Sequence, residues 1–160
     1  MVRFSVSDRQ QQENCVTVQI STDPASLDLD WLVPALSERA YWATGRPRET
    51  IEASIRGSLC FGAYDLDGGH QVGFARVITD RATYGWVCDV FVDESARGGG
   101  IGKALMAAVL AEPSLQTCRL VLTTQTASGL YEQFGFIPLR NPERYMERPR
   151  RDDVRPPEAG

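Results

Sequence analysis

Val16, Val18 and Ile20 alternate with Thr17 and Gln19, the period-two pattern of a strand with one buried face. Ser21-Thr22-Asp23-Pro24 then turns the chain. From Asp28 the period lengthens: Leu29, Leu32, Val33, Leu36 and Ala40 recur at helical spacing, which predicts a helix capped by Asp28 and running to about Tyr41. The run Trp42 to Pro47 breaks it, and a second short helix is predicted over Arg48 to Ile55, ended by Gly57. Two apolar runs, Leu59 to Tyr64 and Gln71 to Thr79, read as strands joined by a hairpin at Gly68-Gly69. Asp80 to Thr83 leads into a third strand, Tyr84 to Val92, completing an antiparallel meander.

The segment from Ile101 is apolar nearly all round (Ile101, Ala104, Leu105, Met106, Ala108, Val109, Leu110) and precedes Pro113, as a buried helix should. Arg119 to Thr123 is a strand expected to lie parallel to Tyr84 to Val92, because a helix crosses over between them. A helix over Ala127 to Phe134 stops at Gly135, and Phe136 to Leu139 and Tyr145 to Arg148 are expected as closing strands. Residues 1–14 and 149–160 are expected to be flexible ends of a single domain spanning residues 1–160, without repeats or a linker.

Composition narrows the classes. The 160 residues suit one domain with a real core, and 42% hydrophobic against 24% charged residues is ordinary for a soluble protein. A net charge of -4 argues against a nucleic-acid binder that works by counterion release. The first fourteen residues lack the apolar run of a signal peptide and nothing approaches a membrane span, so a cytoplasmic location is expected. Cys15, Cys60, Cys88 and Cys118 are far apart and predict reduced, buried thiols; with the single His70 in a turn, no metal site is expected.

The most informative stretch is Trp86 to Leu110: an apolar strand, a short acidic loop, Gly98-Gly99-Gly100, then a helix. Glycines let backbone N–H groups approach a ligand, and a helix start offers unpaired donors carrying partial positive charge. Arg97 and Lys103 add mobile positive charge, so the turn suits a phosphate. A Walker-type loop fails on spacing, with Arg97 where its first glycine belongs and Ala104 in its Ser/Thr position. A dinucleotide fold is disfavoured because some eighty residues precede the turn and Leu120 to Thr123 ends without an acid.

Arg97-Gly98-Gly99-Gly100-Ile101-Gly102 instead resembles the Gln/Arg-x-x-Gly-x-Gly/Ala signature of the acyl-CoA turn in the GNAT superfamily of N-acetyltransferases. Downstream, Ala127 and Leu130-Tyr131-Glu132-Gln133-Phe134-Gly135-Phe136 resemble that family's second signature, Ala-x-x-Leu-Tyr-x-x-x-Gly-Phe. The resemblance covers roughly Tyr84 to Leu139. It implies an α/β domain with a mixed, mostly antiparallel sheet of about six or seven strands and helices on both faces. The activity it implies is direct transfer of acetyl from acetyl-CoA to a primary amine of a small molecule. Two alternatives stay open: a protein lysine or N-terminal acetyltransferase, and a non-catalytic module that senses acyl-CoA.

On that resemblance, the cofactor residues are Arg97, Gly98, Gly99, Gly100, Ile101, Gly102 and Lys103 at the phosphates, with Thr124, Ala127 and Tyr131 along the pantetheine arm. Thr124 stands where many relatives carry Asn. A bulge in the preceding strand would free the N–H of Val90, Phe91 or Val92 to hold the thioester carbonyl. Tyr131 is the expected acid for the leaving thiolate, since a phenol with a reference pKa of about 10 keeps its proton at neutral pH. Asp89, an acid inside an apolar strand, either pairs with a partner such as Arg76 or faces the cleft as a catalytic group. Asp93 and Glu94 are expected to shape the loop. Tyr41, Trp42, Arg46 and Tyr145 are the candidate acceptor residues, and the same aromatic cluster leaves room for a homodimer contact.

Overall fold

The computed structural model describes residues 2–4 and 17–149. Among the described residues six strands form one sheet in chain order: β1 (Val2–Phe4), β2 (Val18–Ser21), β3 (Leu59–Asp65), β4 (Gln71–Thr79), β5 (Tyr84–Val92) and β6 (Arg119–Val121). Neighbours are antiparallel except β5 and β6, whose parallel pairing follows from the crossover helix α3 (Ile101–Ala111). The sheet is thus of the mixed, mostly antiparallel kind expected. Val16, at the start of the first expected strand, lies outside the described residues; the strand itself starts at Val18. Val2–Phe4, within a segment expected to be a flexible end, pairs its backbone with Val18–Ile20. The rest of residues 1–14, and residues 150–160, lie outside the described residues.

Helices cover both faces. On one, α3 packs Ile101, Leu105, Met106 and Val109 against Val18, Phe61, Ala75, Val77 and Val87, joined by Tyr131 from α4 (Ser128–Glu132). On the other, α1 (Leu29–Pro34), the stretch Ala35–Arg39 that continues it, and α2 (Arg48–Arg56) bury Leu32, Leu36, Ile51 and Ile55 against Cys60, Phe74 and Phe91. β4 is central and buried from Gln71 to Val77, which is why its sequence shows no polar face.

Asp28 caps α1, its carboxylate accepting from Asp30 N–H at 3.0 Å and Trp31 N–H at 3.1 Å. The helix is shorter than its periodicity predicts. Pro34 removes a backbone donor, Ala35–Arg39 widen into a π-helical stretch, and Tyr41 falls in the turn beyond. The two closing strands expected after α4 do not form. Pro138 removes a ladder donor from the first, Pro142 opens the 3₁₀ turn of residues 142–144 between them, and Ile137 (64% exposed) and Met146 (96%) have no face to bury against.

Candidate active site

The meander brings the site together at one irregularity. Along β4 and β5, Phe74 pairs with Phe91 but Arg76 pairs with Cys88, so Asp89 and Val90 stand opposite Ala75 alone. This is a bulge. It resets the alternation of β5, for Val87 and Phe91, four residues apart, point into opposite cores. Asp89 takes φ +50°, a conformation that Asn and Asp tolerate better than most residues. β6 pairs with β5 only from Tyr84 to Trp86, and β5 continues to Val92 without it. The parallel strands therefore part just before the bulge.

The glycine turn follows. Gly98 and Gly100 lie at φ +84° and +79°, and Gly100 is the left-handed residue that starts α3. A Cβ on Gly98 would meet nothing, so conformation, not space, calls for glycine. At Gly102 a Cβ would lie 3.5 Å from Leu130 Cδ2 and 3.9 Å from Val92 Cγ2, which sets the helix start beside β5 and α4. The α3 ladder opens with Ala104 N–H donating to Gly100 O at 3.0 Å, leaving the preceding amides for a ligand. Arg97 donates from Nε to Val92 O at 3.3 Å with its guanidinium exposed, and Lys103 is exposed one helical turn on. Asp93 shapes the loop as expected: it accepts from Ser95 N–H and from Arg39 Nη1 at 2.8 Å, and Arg39 stacks over the Phe91 ring at 5.2 Å.

On the other side of the parted strands stands Tyr131. Thr124 Oγ1 accepts from Ala127 N–H at 3.0 Å and so caps the turn into α4, which carries the tyrosine. Tyr131 is 9% exposed and packs edge-on to Phe136 at 6.0 Å. Burial, with a smaller contribution from Tyr41, raises its phenol above the ordinary value. Among the described residues no hydrogen bond engages its hydroxyl.

Asp89 is held on three sides. Its Oδ2 accepts from Arg76 Nε at 2.6 Å and from Arg46 Nη1 at 2.8 Å, while Oδ1 accepts from Trp42 Nε1 at 3.1 Å. Arg76 in turn donates from Nη1 to Ser58 Oγ at 3.0 Å. Burial works to raise the Asp89 carboxyl, but Arg76 and then Arg46 outweigh it and hold it below the usual carboxylate range. Of the two roles open to it from sequence, this geometry is that of the paired acid. Tyr41 stacks edge-on to Trp42 at 4.9 Å, so Tyr41, Trp42 and Arg46 gather at the bulge as a cluster. Tyr145 does not join them. It sits under the Arg119 guanidinium at 5.8 Å, beside the strand ends where Tyr84 pairs with Arg119, the far end of β5 from the bulge. Ser58 and Arg39 carried no signal in the sequence, because each acts through a partner distant along the chain.

The remaining chemistry-bearing side chains lie apart. Burial pushes the Cys60 and Cys88 thiols up to about 11, and Cys60, Cys88 and Cys118 are free; Cys15 lies outside the described residues. His70 is exposed in the β3–β4 hairpin. Among the described residues no group of His, Cys, Asp and Glu is arranged to hold a metal ion, and no helix is long and apolar enough to cross a membrane.

Comparison with known proteins agrees with this geometry. A solved structure from Xanthomonas campestris pv. campestris, ascribed to the GNAT family of acetyltransferases, is 45% identical, with a TM-score of 0.79 over 82% of this chain and 92% of that one. A GNAT-family acetyltransferase of Streptococcus pneumoniae is 26% identical, with a TM-score of 0.63 over 84% and 98%. A Gibberella zeae protein named for acetyltransferase activity is 33% identical over 104 aligned residues, which take in 54% of this chain. The match spans 59% of that relative's length. The profile of the acetyltransferase (GNAT) domain matches residues 56–138, from the end of α2 through the bulge, the glycine turn and Tyr131, and the chain belongs to that family.

Proposed function

We propose that the chain transfers acetyl from acetyl-CoA directly to the primary amine of a small molecule. The observation that carries this reading is the convergence, at the parting of β5 and β6, of three elements: the left-handed glycine turn, the bulge at Asp89 and Val90, and the buried phenol of Tyr131. Amides of residues 98–103, with Arg97 and Lys103, hold the phosphates of CoA. The pantetheine arm runs past Ala127 and Thr124 between the strands, where the broken ladder at Val90 to Val92 offers an N–H to the thioester carbonyl. Tyr131 keeps its proton and donates it as the thiolate leaves.

Asp89 acts here as the anchor of the acceptor wall, holding Trp42 and Arg46 against the bulge, and not as the general base. The amine attacks as its neutral fraction after losing its proton to water. No cysteine lies in either signature, and burial disfavours the Cys88 thiolate, which supports a direct transfer over a covalent acyl-enzyme.

Release of free CoA thiol from acetyl-CoA is the test, with amino acids, polyamines, aminoglycosides, arylalkylamines and lysine peptides as acceptors. Turnover with one small-molecule class is the expected result. Turnover confined to lysine peptides would replace it with a protein acetyltransferase, and tight acetyl-CoA binding without turnover would leave a sensing module.

A further inference from the structure

The cluster behind the bulge carries one positive charge too many. Arg46 and Arg76 bring two guanidiniums to the single carboxylate of Asp89, and among the described residues the other groups bonded to the three, Trp42 and Ser58, are neutral. The side chains are 16%, 11% and 3% exposed for Arg46, Arg76 and Asp89, so water screens the excess poorly. Arg39, the next cation on this face, is spent on Asp93 at 2.8 Å. A desolvated net charge is costly unless an opposite charge meets it.

Of the two guanidiniums, Arg46 is the one placed to meet a ligand. Arg76 lies within the sheet and uses Nε and Nη1 on Asp89 and Ser58. Arg46 comes from the turn before α2, uses only Nη1 on Asp89, and stands beside Trp42 and the exposed Tyr41. A guanidinium has five N–H donors in a planar fork, so it can hold Asp89 and still grip a second oxyanion. The same arrangement repels a dication. An ammonium brought next to a net positive charge is disfavoured, whereas a neutral amine tethered to an anion is drawn in.

We infer that the acceptor is an amine that also carries an anionic group, a carboxylate or a phosphate, and that Arg46 is the residue that grips the anion. The inference rests on the acetyl-transfer reading above and narrows it. The anion is held at Arg46, beside Trp42 on Asp89, and the amine reaches toward Tyr131. The excess charge also favours the uncharged form of the incoming amine, which suits a site whose carboxylate is already occupied.

Matched acceptor pairs test this in the wild-type protein: an amino acid against its carboxamide, an amino-sugar phosphate against the free amino sugar, and a polyamine. Amines bearing the anion should show kcat/KM about 10–100-fold above their neutral partners, the scale of one charge-assisted hydrogen bond. The carboxylate and phosphate pairs tell the two anions apart. In Arg46→Gln the preference should collapse through KM for the anionic member alone, with the affinity for acetyl-CoA unchanged. Arg46→Lys, which keeps the charge and can still pair with Asp89, should retain part of the preference. Where Arg46→Gln fails to fold, the wild-type pairs and the Lys variant decide. Equal turnover of charged and neutral partners, or a preference for polyamines, would overturn the inference while leaving acetyl transfer standing. Loss of acetyl-CoA binding in the wild-type protein would overturn both.

Discussion

Across the β4–β5 ladder, Arg76 Nε donates to Asp89 Oδ2 at 2.6 Å, at the one point where the register of the two strands slips. The bulge turns Asp89 onto the same face as Arg76 and the turn before α2, so backbone irregularity and buried ion cluster are one feature. Asp89→Asn keeps a residue that accepts positive φ but leaves two guanidiniums without a carboxylate. Denaturant unfolding should show a loss of about 3–5 kcal/mol, as for breaking a buried pair. A drop in kcat at unchanged stability would instead restore Asp89 as the base.

Tyr131→Phe separates chemistry from packing. The ring is buried against Phe136, and the hydroxyl makes no bond among the described residues, so the variant should fold with unchanged stability and bind acetyl-CoA normally. Its kcat should fall by about 10²-fold or more if the phenol is the acid. An unchanged kcat would return the residue to a packing role.

Gly100→Ala places a Cβ at φ +79°, a conformation that costs a non-glycine residue about 1–2 kcal/mol. Acetyl-CoA affinity, measured by calorimetry, should weaken by more than the change in stability, because in the proposed binding mode the same Cβ intrudes where amides meet the phosphates. Arg97→Ala removes no buried contact, and should weaken binding with no change in thermal stability.

Stability should fall at both ends of the pH scale. The Asp89 and Asp93 carboxyls are held below their ordinary values, the first by its two arginines against burial and the second chiefly by Arg39. Their stabilisation is full above the unfolded carboxylate pKa of about 4 and is lost as pH falls below it. Cys60 and Cys88 are raised to about 11 by burial. Their contribution is full below the unfolded thiol pKa, about 8.5, and is lost as pH rises from there toward 11. Chemical denaturation at pH 3, 7 and 10.5 checks both arms, and alkylation at pH 8 should leave Cys60 unmodified.

The elements with strong local signals were legible in the chain. Gln71–Thr79 and Tyr84–Val92 have the bounds that their apolar runs imply, Ile101 opens α3 after its glycines, and Asp28 caps α1. The expected closing strands failed because Phe136 to Leu139 and Tyr145 to Arg148 have strand composition, yet β6, three residues long, offers them no ladder among the described residues. Tyr145 was placed with the acceptor residues by its position late in the chain, and stacking on Arg119 holds it elsewhere.

The residues themselves determined the family, the glycine turn and the candidate acid, because these lie in short contiguous runs where spacing alone states the chemistry: Arg97 to Gly102, and Ala127 to Phe136. Tertiary structure decided what Asp89 is bonded to. A carboxylate within an apolar strand fits a base and a buried ion pair equally well until its neighbours are known. Those neighbours, Trp42, Arg46 and Arg76, come from a loop more than forty residues before it and from the adjoining strand. Only the slip in register between β4 and β5 turns the side chain toward them. That slip is a property of the paired strands, and no pattern along either strand alone contains it.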